Sequence, residues 1–153
     1  MKIINPAVYL FTLIIPFFFF HCDSEGGKYN GSQNKIKFKQ YLVEGKRLYL
    51  QHCSNCHQKD GTGLARLYPP LKKSDYFKKN EENVICIIKN GQSGEIIVND
   101  ISFNHPMPGN PRLTNLEIAE ISTYIITTWG SRSKLYTHIE VSEILEKCES
   151  SKN

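Results

Sequence analysis

The pattern of apolar and polar positions predicts a mainly helical chain. Over residues 37–51, apolar side chains recur three and four positions apart on one stripe, which predicts a first helix. Gly45 lies within that helix at a cost of roughly 1 kcal/mol relative to alanine, so we expect a packing reason such as a second helix crossing at close approach. A second helix is predicted over 80–90, where Asn80 is a good N-cap and Gly91 a stop signal.

The third predicted helix has the clearest boundaries. Thr114 and Glu117 have the spacing of a capping box, apolar residues follow on one stripe, and Gly130 ends the helix. A further short helix is expected around 141–148, where apolar residues again recur at helical spacing. Apolar residues on both sides of Asn99-Asp100 predict a short hairpin.

Residues 1–21 are predicted to be an export signal and not part of the fold. Residues 3–20 are almost wholly apolar but are broken by Pro6 and Pro16, and they are short for a spanning helix of roughly 20 residues. Cys22 follows where the lipidated first residue of a bacterial lipoprotein would stand. Two anchors are therefore left open, a lipid on Cys22 and an uncleaved N-terminal helix.

The remainder of the chain has the size of one domain. The Gly-, Ser- and Asn-rich composition after Cys22 predicts a flexible tether over 22–36, followed by a single domain over 37–153. The formal net charge of +4 is too mild for a nucleic-acid-binding protein, so no nucleic-acid partner is expected.

The segment Cys53-Ser54-Asn55-Cys56-His57 is the most informative motif. Two thiols followed by an imidazole form the C-x-x-C-H signature of covalent c-type haem attachment, in which the histidine binds the iron. A zinc site would need a second closely spaced pair of Cys or His ligands, and none follows. A thioredoxin-like pair would follow a strand, whereas the residues upstream have helical periodicity.

The second axial position of the iron has three candidate ligands. Met107 is the only methionine outside residues 1–21, and prolines on both sides stiffen the loop that carries it. We therefore predict Met107 as the ligand. His105 in the same loop and His52 at the end of the first helix are its rivals.

Cys86 and Cys148 remain once the haem and the anchor are assigned. An even number of cysteines in an exported protein is consistent with a disulfide. Two separate buried thiols are also consistent with the sequence, since cysteine is often buried without a partner. The sequence leaves both readings open.

Taken together, the motifs resemble class I monohaem cytochromes c, of the type associated with copper nitrite reductases, quinoprotein alcohol dehydrogenases and haem-copper oxidases. The resemblance spans about residues 38–147. The residues that carry it are Gly45, Tyr49, 53–57, Tyr68-Pro69-Pro70-Leu71, Ser74-Asp75-Tyr76, Asn90-Gly91, Ser93-Gly94, Met107-Pro108, and Leu113-Thr114 through Trp129-Gly130. It implies an all-α cytochrome c fold, with three core helices around one covalent haem, a short hairpin and long loops.

The resemblance also implies a set of cofactor-binding residues: Cys53, Cys56, His57, Pro69, Leu71 and Met107. The carbonyl of Pro69 would accept the Nδ1 proton of His57, and Leu71 would press on the haem. Gly45 would lie where the first helix crosses Tyr124 of the last core helix. The metal ligands would be His57 and Met107.

Ligation of this kind predicts an electron carrier and not an enzyme, because it leaves no open position for a substrate. The expected partners are redox proteins (an oxidase, a reductase or a dehydrogenase) on the periplasmic side of a bacterial membrane, to which the N-terminal anchor attaches the protein. The alternatives are a haem-based sensor or ligand-binding protein, and a relay subunit of an oxidase or dehydrogenase complex. Basic residues are expected to rim the haem edge and to favour an acidic partner surface: Lys59, Lys72, Lys73 and Arg112.

Overall fold

The computed structural model describes residues 31–150. Within them it has six helices: α1 (Gly31–His52), α2 (Ser54–His57), α3 (Asp75–Lys79), α4 (Val84–Asn90), α5 (Asn115–Trp129) and α6 (His138–Ser150). Four short strands form two antiparallel pairs: β1 (Gly91–Gln92) with β4 (Met107–Pro108), and β2 (Ile96–Val98) with β3 (Ile101–Phe103). The predicted all-α class is confirmed, since the strands are small.

The crossing of α1 and α5 explains the mid-helix glycine. A Cβ atom placed on Gly45 would lie 2.6 Å from the carbonyl carbon of Glu120 and 2.8 Å from Cβ of Tyr124. Real Cβ atoms do not approach other atoms so closely, so only glycine lets the two helices meet. One turn later the Tyr49 ring packs against the rings of Tyr124 and Trp129, with centroids 5.7 and 5.1 Å away.

Two helices begin with the same reciprocal cap. At the start of α5, Glu117 N–H donates to Oγ1 of Thr114 (3.3 Å) and Thr114 N–H donates to Oε2 of Glu117 (2.8 Å), which confirms the predicted capping box. Thr137 and Glu140 make the same pair of bonds at α6, at 3.2 and 2.8 Å. The second capping box has the same T-x-x-E spacing and was not among the predicted features.

A disulfide joins α4 to α6. Cys86 and Cys148 are 62 residues apart in sequence, and their Cα atoms are 6.0 Å apart. Of the two readings that the sequence left open, the structure therefore has the disulfide. It ties α6 to a helix whose other face borders the candidate site described below.

The hairpin lies where the sequence predicts it. Asn99 and Asp100 both have positive φ angles, 50° and 62°, as the tight turn of a two-residue hairpin requires. The turn is fastened to the start of α3 because Asn99 N–H donates to Oδ1 of Asp75 (2.8 Å) and Asp75 N–H donates to Oδ1 of Asn99 (3.1 Å). This reciprocal pair fixes the hairpin over the site described below.

Two predicted boundaries are wrong. The first helix begins at Gly31 and not near residue 37, so residues 31–36 of the predicted tether over 22–36 are helical. They are all exposed, and they extend the docked part of the helix because propagation costs little once a helix exists. Asn80 does not cap the second helix through its side chain, since a 3₁₀ turn over 81–83 comes first.

The predicted export signal over 1–21 and the candidate lipidation site at Cys22 lie outside the described residues. Among the helices of residues 31–150, none is both long and apolar enough to cross a membrane.

Candidate haem site

The C-x-x-C-H motif lies at the junction of α1 and α2. Cys53 N–H donates to the carbonyl of Tyr49 (2.9 Å), and His57 N–H donates to the carbonyl of Cys53 (3.0 Å). One turn of helix therefore carries both thiols and the imidazole. Cys53 and Cys56 are free cysteines, and burial raises the pKa of the Cys53 thiol to about 12, which keeps it uncharged.

Pro69 holds the imidazole of His57. Nδ1 of His57 lies 3.0 Å from the carbonyl oxygen of Pro69. Because a carbonyl can only accept, Nδ1 must carry the proton, and Nε2 keeps the lone pair that a metal bond needs. Burial lowers the pKa of His57, although the bond to Pro69 acts in the opposite direction, so the ring is neutral and suited to ligation.

The loop that presents Pro69 depends on a close backbone approach. Gly63 has a φ of +69°, and a Cβ atom there would lie 2.7 Å from the carbonyl carbon of Pro69. Gly63 N–H donates to the carbonyl of His57 (3.0 Å), and the N–H groups of Leu71 and Lys72 both donate to the carbonyl of Gly61 at 2.9 Å. The loop therefore wraps around the histidine that it orients.

One apolar cavity brings the predicted residues together. It holds about 1080 Å³ of empty space, counting the open solvent at its mouth. All six predicted cofactor-binding residues line it: Cys53, Cys56, His57, Pro69, Leu71 and Met107. Buried apolar side chains from α3, α4, the hairpin and α5 complete its walls: Phe77, Val84, Ile88, Val98, Phe103 and Ile125.

Met107 is held on the cavity wall by the short β1–β4 pair. It pairs with Gln92 and is partly buried. The two strands approach closely, since a Cβ atom on Gly91 would lie 2.5 Å from the carbonyl oxygen of Met107. Nζ of Lys89 also donates to the carbonyls of Pro111 and Leu113, both at 2.9 Å. This lysine fastens the end of the methionine loop, and no periodic pattern in the sequence pointed to it.

The two rival ligands occupy different places. His105 is exposed but also lines the cavity, where its ring stands edge-on to Tyr68 with centroids 5.0 Å apart. Nε2 of His105 lies 3.5 Å from the hydroxyl of Tyr68. His52 is exposed at the end of α1 and is not among the described residues that line the cavity. The geometry therefore leaves Met107 and His105 as candidates.

The four basic residues expected at the haem edge are all exposed. Lys59 borders a shallow surface depression next to the haem motif. Lys72 and Lys73 directly follow Leu71, which lines the cavity, and Arg112 precedes α5. Three of the four thus adjoin segments that form the site.

The fold and this site define a c-type cytochrome. A family model described as Cytochrome c matches residues 42–129, more than half of the chain, and the chain belongs to that family. It is similar to cytochrome c-552 of Thermus thermophilus, with 30% identity over 114 residues that cover 69% of this chain and 86% of that protein. It is also 30% identical, over 94 residues, to the cytochrome c subunit of alcohol dehydrogenase (quinone) from Gluconacetobacter polyoxogenes, covering 60% of this chain but 20% of that subunit.

Membership in this family makes the protein an electron-transfer haem protein with one covalently bound haem c. As a member of this family it is an electron carrier and not an enzyme, and its similarity to the alcohol dehydrogenase is to the cytochrome subunit. The residues present fit the cofactor. Two free thiols, a neutral imidazole with Nε2 available and a large apolar cavity lie together.

Proposed function

We propose that the protein carries single electrons between respiratory redox partners, with its iron bound by His57 and Met107. The observation that carries the proposal is that both side chains line the same apolar cavity, next to Cys53 and Cys56. A lone methionine is usually core filler, but Met107 lies in a two-residue strand at the edge of a cavity. A thioether in that place is better explained as a ligand than as packing.

Each residue has a separate task in this mechanism. The haem supplies an iron that cycles between Fe(II) and Fe(III). Cys53 and Cys56 hold the cofactor covalently, and the Pro69 carbonyl keeps the His57 ring in one tautomer and orientation. The apolar walls exclude water and so disfavour the extra positive charge of the oxidised state, while a methionine ligand raises the potential above that of bis-histidine ligation.

The proposed partners are an oxidase, a reductase or a dehydrogenase on the exported side of a bacterial membrane. The apolar segment over 3–20 supports export, and Cys22 or an uncleaved helix would supply the anchor. The similarity to a dehydrogenase's cytochrome subunit supports a redox-partner role. The sensor alternative requires an iron that exchanges its sixth ligand, which the following experiment detects.

Two variants test the ligation. Met107→Ala should open the sixth position, lower the midpoint potential and let carbon monoxide bind the reduced iron. His105→Ala is the matched control from the same loop, and it should keep the spectrum and the potential of the parent protein. If His105→Ala instead produces the high-spin form, His105 is the ligand. If the parent protein itself binds carbon monoxide readily, the sensor alternative replaces the carrier.

A further inference from the structure

The outward face of α1 carries an apolar stripe. Ile36, Val43 and Leu50 are seven residues apart, and their exposed fractions are 56%, 72% and 39%. Residues at this spacing drift by only about 20° per heptad around a helix, so the three share one line. At about 100° per residue, Ile36 lies roughly 180° from Gly45, the point of contact with α5. The stripe therefore points directly away from the protein core.

Basic side chains concentrate on the same helix. Residues 31–150 contain sixteen Lys and Arg and thirteen Asp and Glu, of which five basic and one acidic lie on α1. The helix thus has a formal net charge of +4, and the remaining described residues together have −1. Lys39 and Lys46 follow Ile36 and Val43 by three positions, which places them beside the stripe. The acidic residue, Glu44, is paired with Arg47.

We propose that this stripe lies on the surface of an anionic membrane. An exposed apolar line flanked by lysines is the pattern of helices that lie in the membrane interface, where each basic residue adds attraction to anionic lipid.

The place of α1 in the chain favours lipid over another protein. Residues 21–30, ten in number, separate it from the apolar segment 3–20. Ten fully extended residues reach at most about 35 Å, so an N-terminal anchor of either kind keeps α1 near the bilayer. The inference rests on the anchored location proposed above and does not depend on the identity of the axial ligand.

Contact through this face would leave the haem site accessible. Tyr49 is the described residue within α1 that lines the cavity, and it belongs to the buried side of the helix. The stripe and the cavity therefore lie on different sides of α1. A membrane bound to the stripe would not cover the site at which partners exchange electrons.

The test places a nitroxide label at Val43→Cys in the full-length, haem-loaded protein reconstituted into lipid vesicles. The haem thioethers and the Cys86–Cys148 disulfide leave few thiols to react, and the parent chain treated identically gives any background from Cys22. Accessibility of the label to oxygen and to a water-soluble nickel complex is then measured. Ile139→Cys on α6, where the native side chain is 59% exposed, is the matched control.

We expect the label at residue 43 to lose accessibility to nickel in vesicles that contain anionic lipid, while the label at residue 139 keeps it. Reversing the charges at Lys35, Lys39 and Lys46 should abolish this protection without changing the haem spectrum. Equal nickel accessibility at residues 43 and 139 in anionic vesicles would overturn the proposal. Protection that persists in detergent and depends on protein concentration would overturn it in favour of a second copy of the chain.

Co-sedimentation with purely zwitterionic vesicles reports separately on the N-terminal anchor, which the stripe should not affect. Protein that fails to sediment there but is protected at residue 43 in anionic vesicles would support the stripe while refuting the anchor. The two proposals can therefore fail independently.

Discussion

The helical frame and the loops around the haem are stabilised in different ways. Between α1 and α5 the backbones touch at Gly45, and α6 is joined to α4 by a disulfide. The loops over 58–74 and 91–113 instead border a large apolar cavity, and a few hydrogen bonds such as the Asp75–Asn99 pair fasten their edges. Contacts within the protein hold the frame together, whereas the loops border the cavity that the haem would fill.

The two cysteine pairs have different roles in these two regions. Cys53 and Cys56 lie on the cavity wall, where we propose that they attach the haem, while Cys86 and Cys148 close a long stretch of chain. Substitutions in the loops should change the cofactor or its surroundings, and substitutions in the frame should change the stability of the whole domain.

The largest effect is expected from replacing the haem-attaching thiols. Cys53→Ala/Cys56→Ala should leave no covalently bound haem, which is measured by peroxidase staining of a denaturing gel. The matched variant Cys86→Ser/Cys148→Ser should retain the haem and lower the free energy of unfolding by about 4 kcal/mol, as expected for a loop of this length. Haem retained by the first variant, or lost from the second, would contradict the division.

The next effect belongs to the helix crossing. Gly45→Val should force α1 and α5 apart and lower the free energy of unfolding by roughly 3 kcal/mol, the upper range for overpacking a tight site. Chemical denaturation of the haem-loaded protein measures this change. Gly31→Ala is the control, because a Cβ atom at Gly31 would meet nothing within 4 Å. Equal stability of the two variants would show that the crossing is not tight.

A smaller and more local effect is expected at the hairpin. Asp75→Ala removes the acceptor of the Asn99 N–H, so hydrogen exchange should accelerate at the amides of residues 96–103 and stay unchanged in α5. Asp75→Asn keeps an acceptor oxygen and should restore most of the protection. Faster exchange in α5 as well would mean that the hairpin and the frame open together.

The same contact should depend on pH. The pKa of Asp75 is held below its ordinary range, chiefly because the carboxylate accepts the Asn99 N–H. Its contribution is therefore present above the ordinary carboxyl pKa of about 3.9 and is lost as the pH falls through the lower, folded-state value. The Asp75→Asn variant should not show this acid-dependent loss of hairpin protection.

The smallest effect concerns partner docking. If Lys72 and Lys73 steer an acidic partner, reversing both charges should slow bimolecular electron transfer, and rising salt should remove the difference. Lys35→Glu/Lys46→Glu, on the outward face of α1, carries the same change of charge and should leave the rate unaltered in detergent. The second-order rate across a salt series measures both. A flat salt profile would leave these lysines as ordinary surface residues.

The sequence predicts the helical frame better than it predicts the loops around the haem. The frame was predictable because its helices have apolar stripes and a capping box, and the glycine within α1 indicated the crossing. The start of α1 was not predictable, since residues 31–36 are all exposed and add nothing to the buried face of the helix. The sequence could not decide between a disulfide and two separate thiols, because the pairing of Cys86 with Cys148 depends on how α6 packs against α4.

The site was predictable chiefly where a motif carries its own chemistry. The spacing of Cys53, Cys56 and His57 indicated haem directly, whereas Pro69 and Leu71 came from family resemblance. The role of Lys89 was not predictable, because the side chain donates to backbone carbonyls that lie more than twenty residues away in sequence. A contact of that kind leaves no pattern in the sequence.

The central claim is that Met107 binds the iron. It is tested most directly by nuclear magnetic resonance of the reduced protein, with its methionine methyl groups isotopically labelled. The chain contains two methionines, Met1 and Met107, so assignment of the nuclear magnetic resonance signals is simple. In the reduced protein, a methionine bound to the iron lies against the haem ring, and the ring current should shift its methyl resonance far upfield. The account predicts one such resonance, absent from Met107→Ala. All methionine methyl signals at ordinary positions in the reduced parent protein would contradict it.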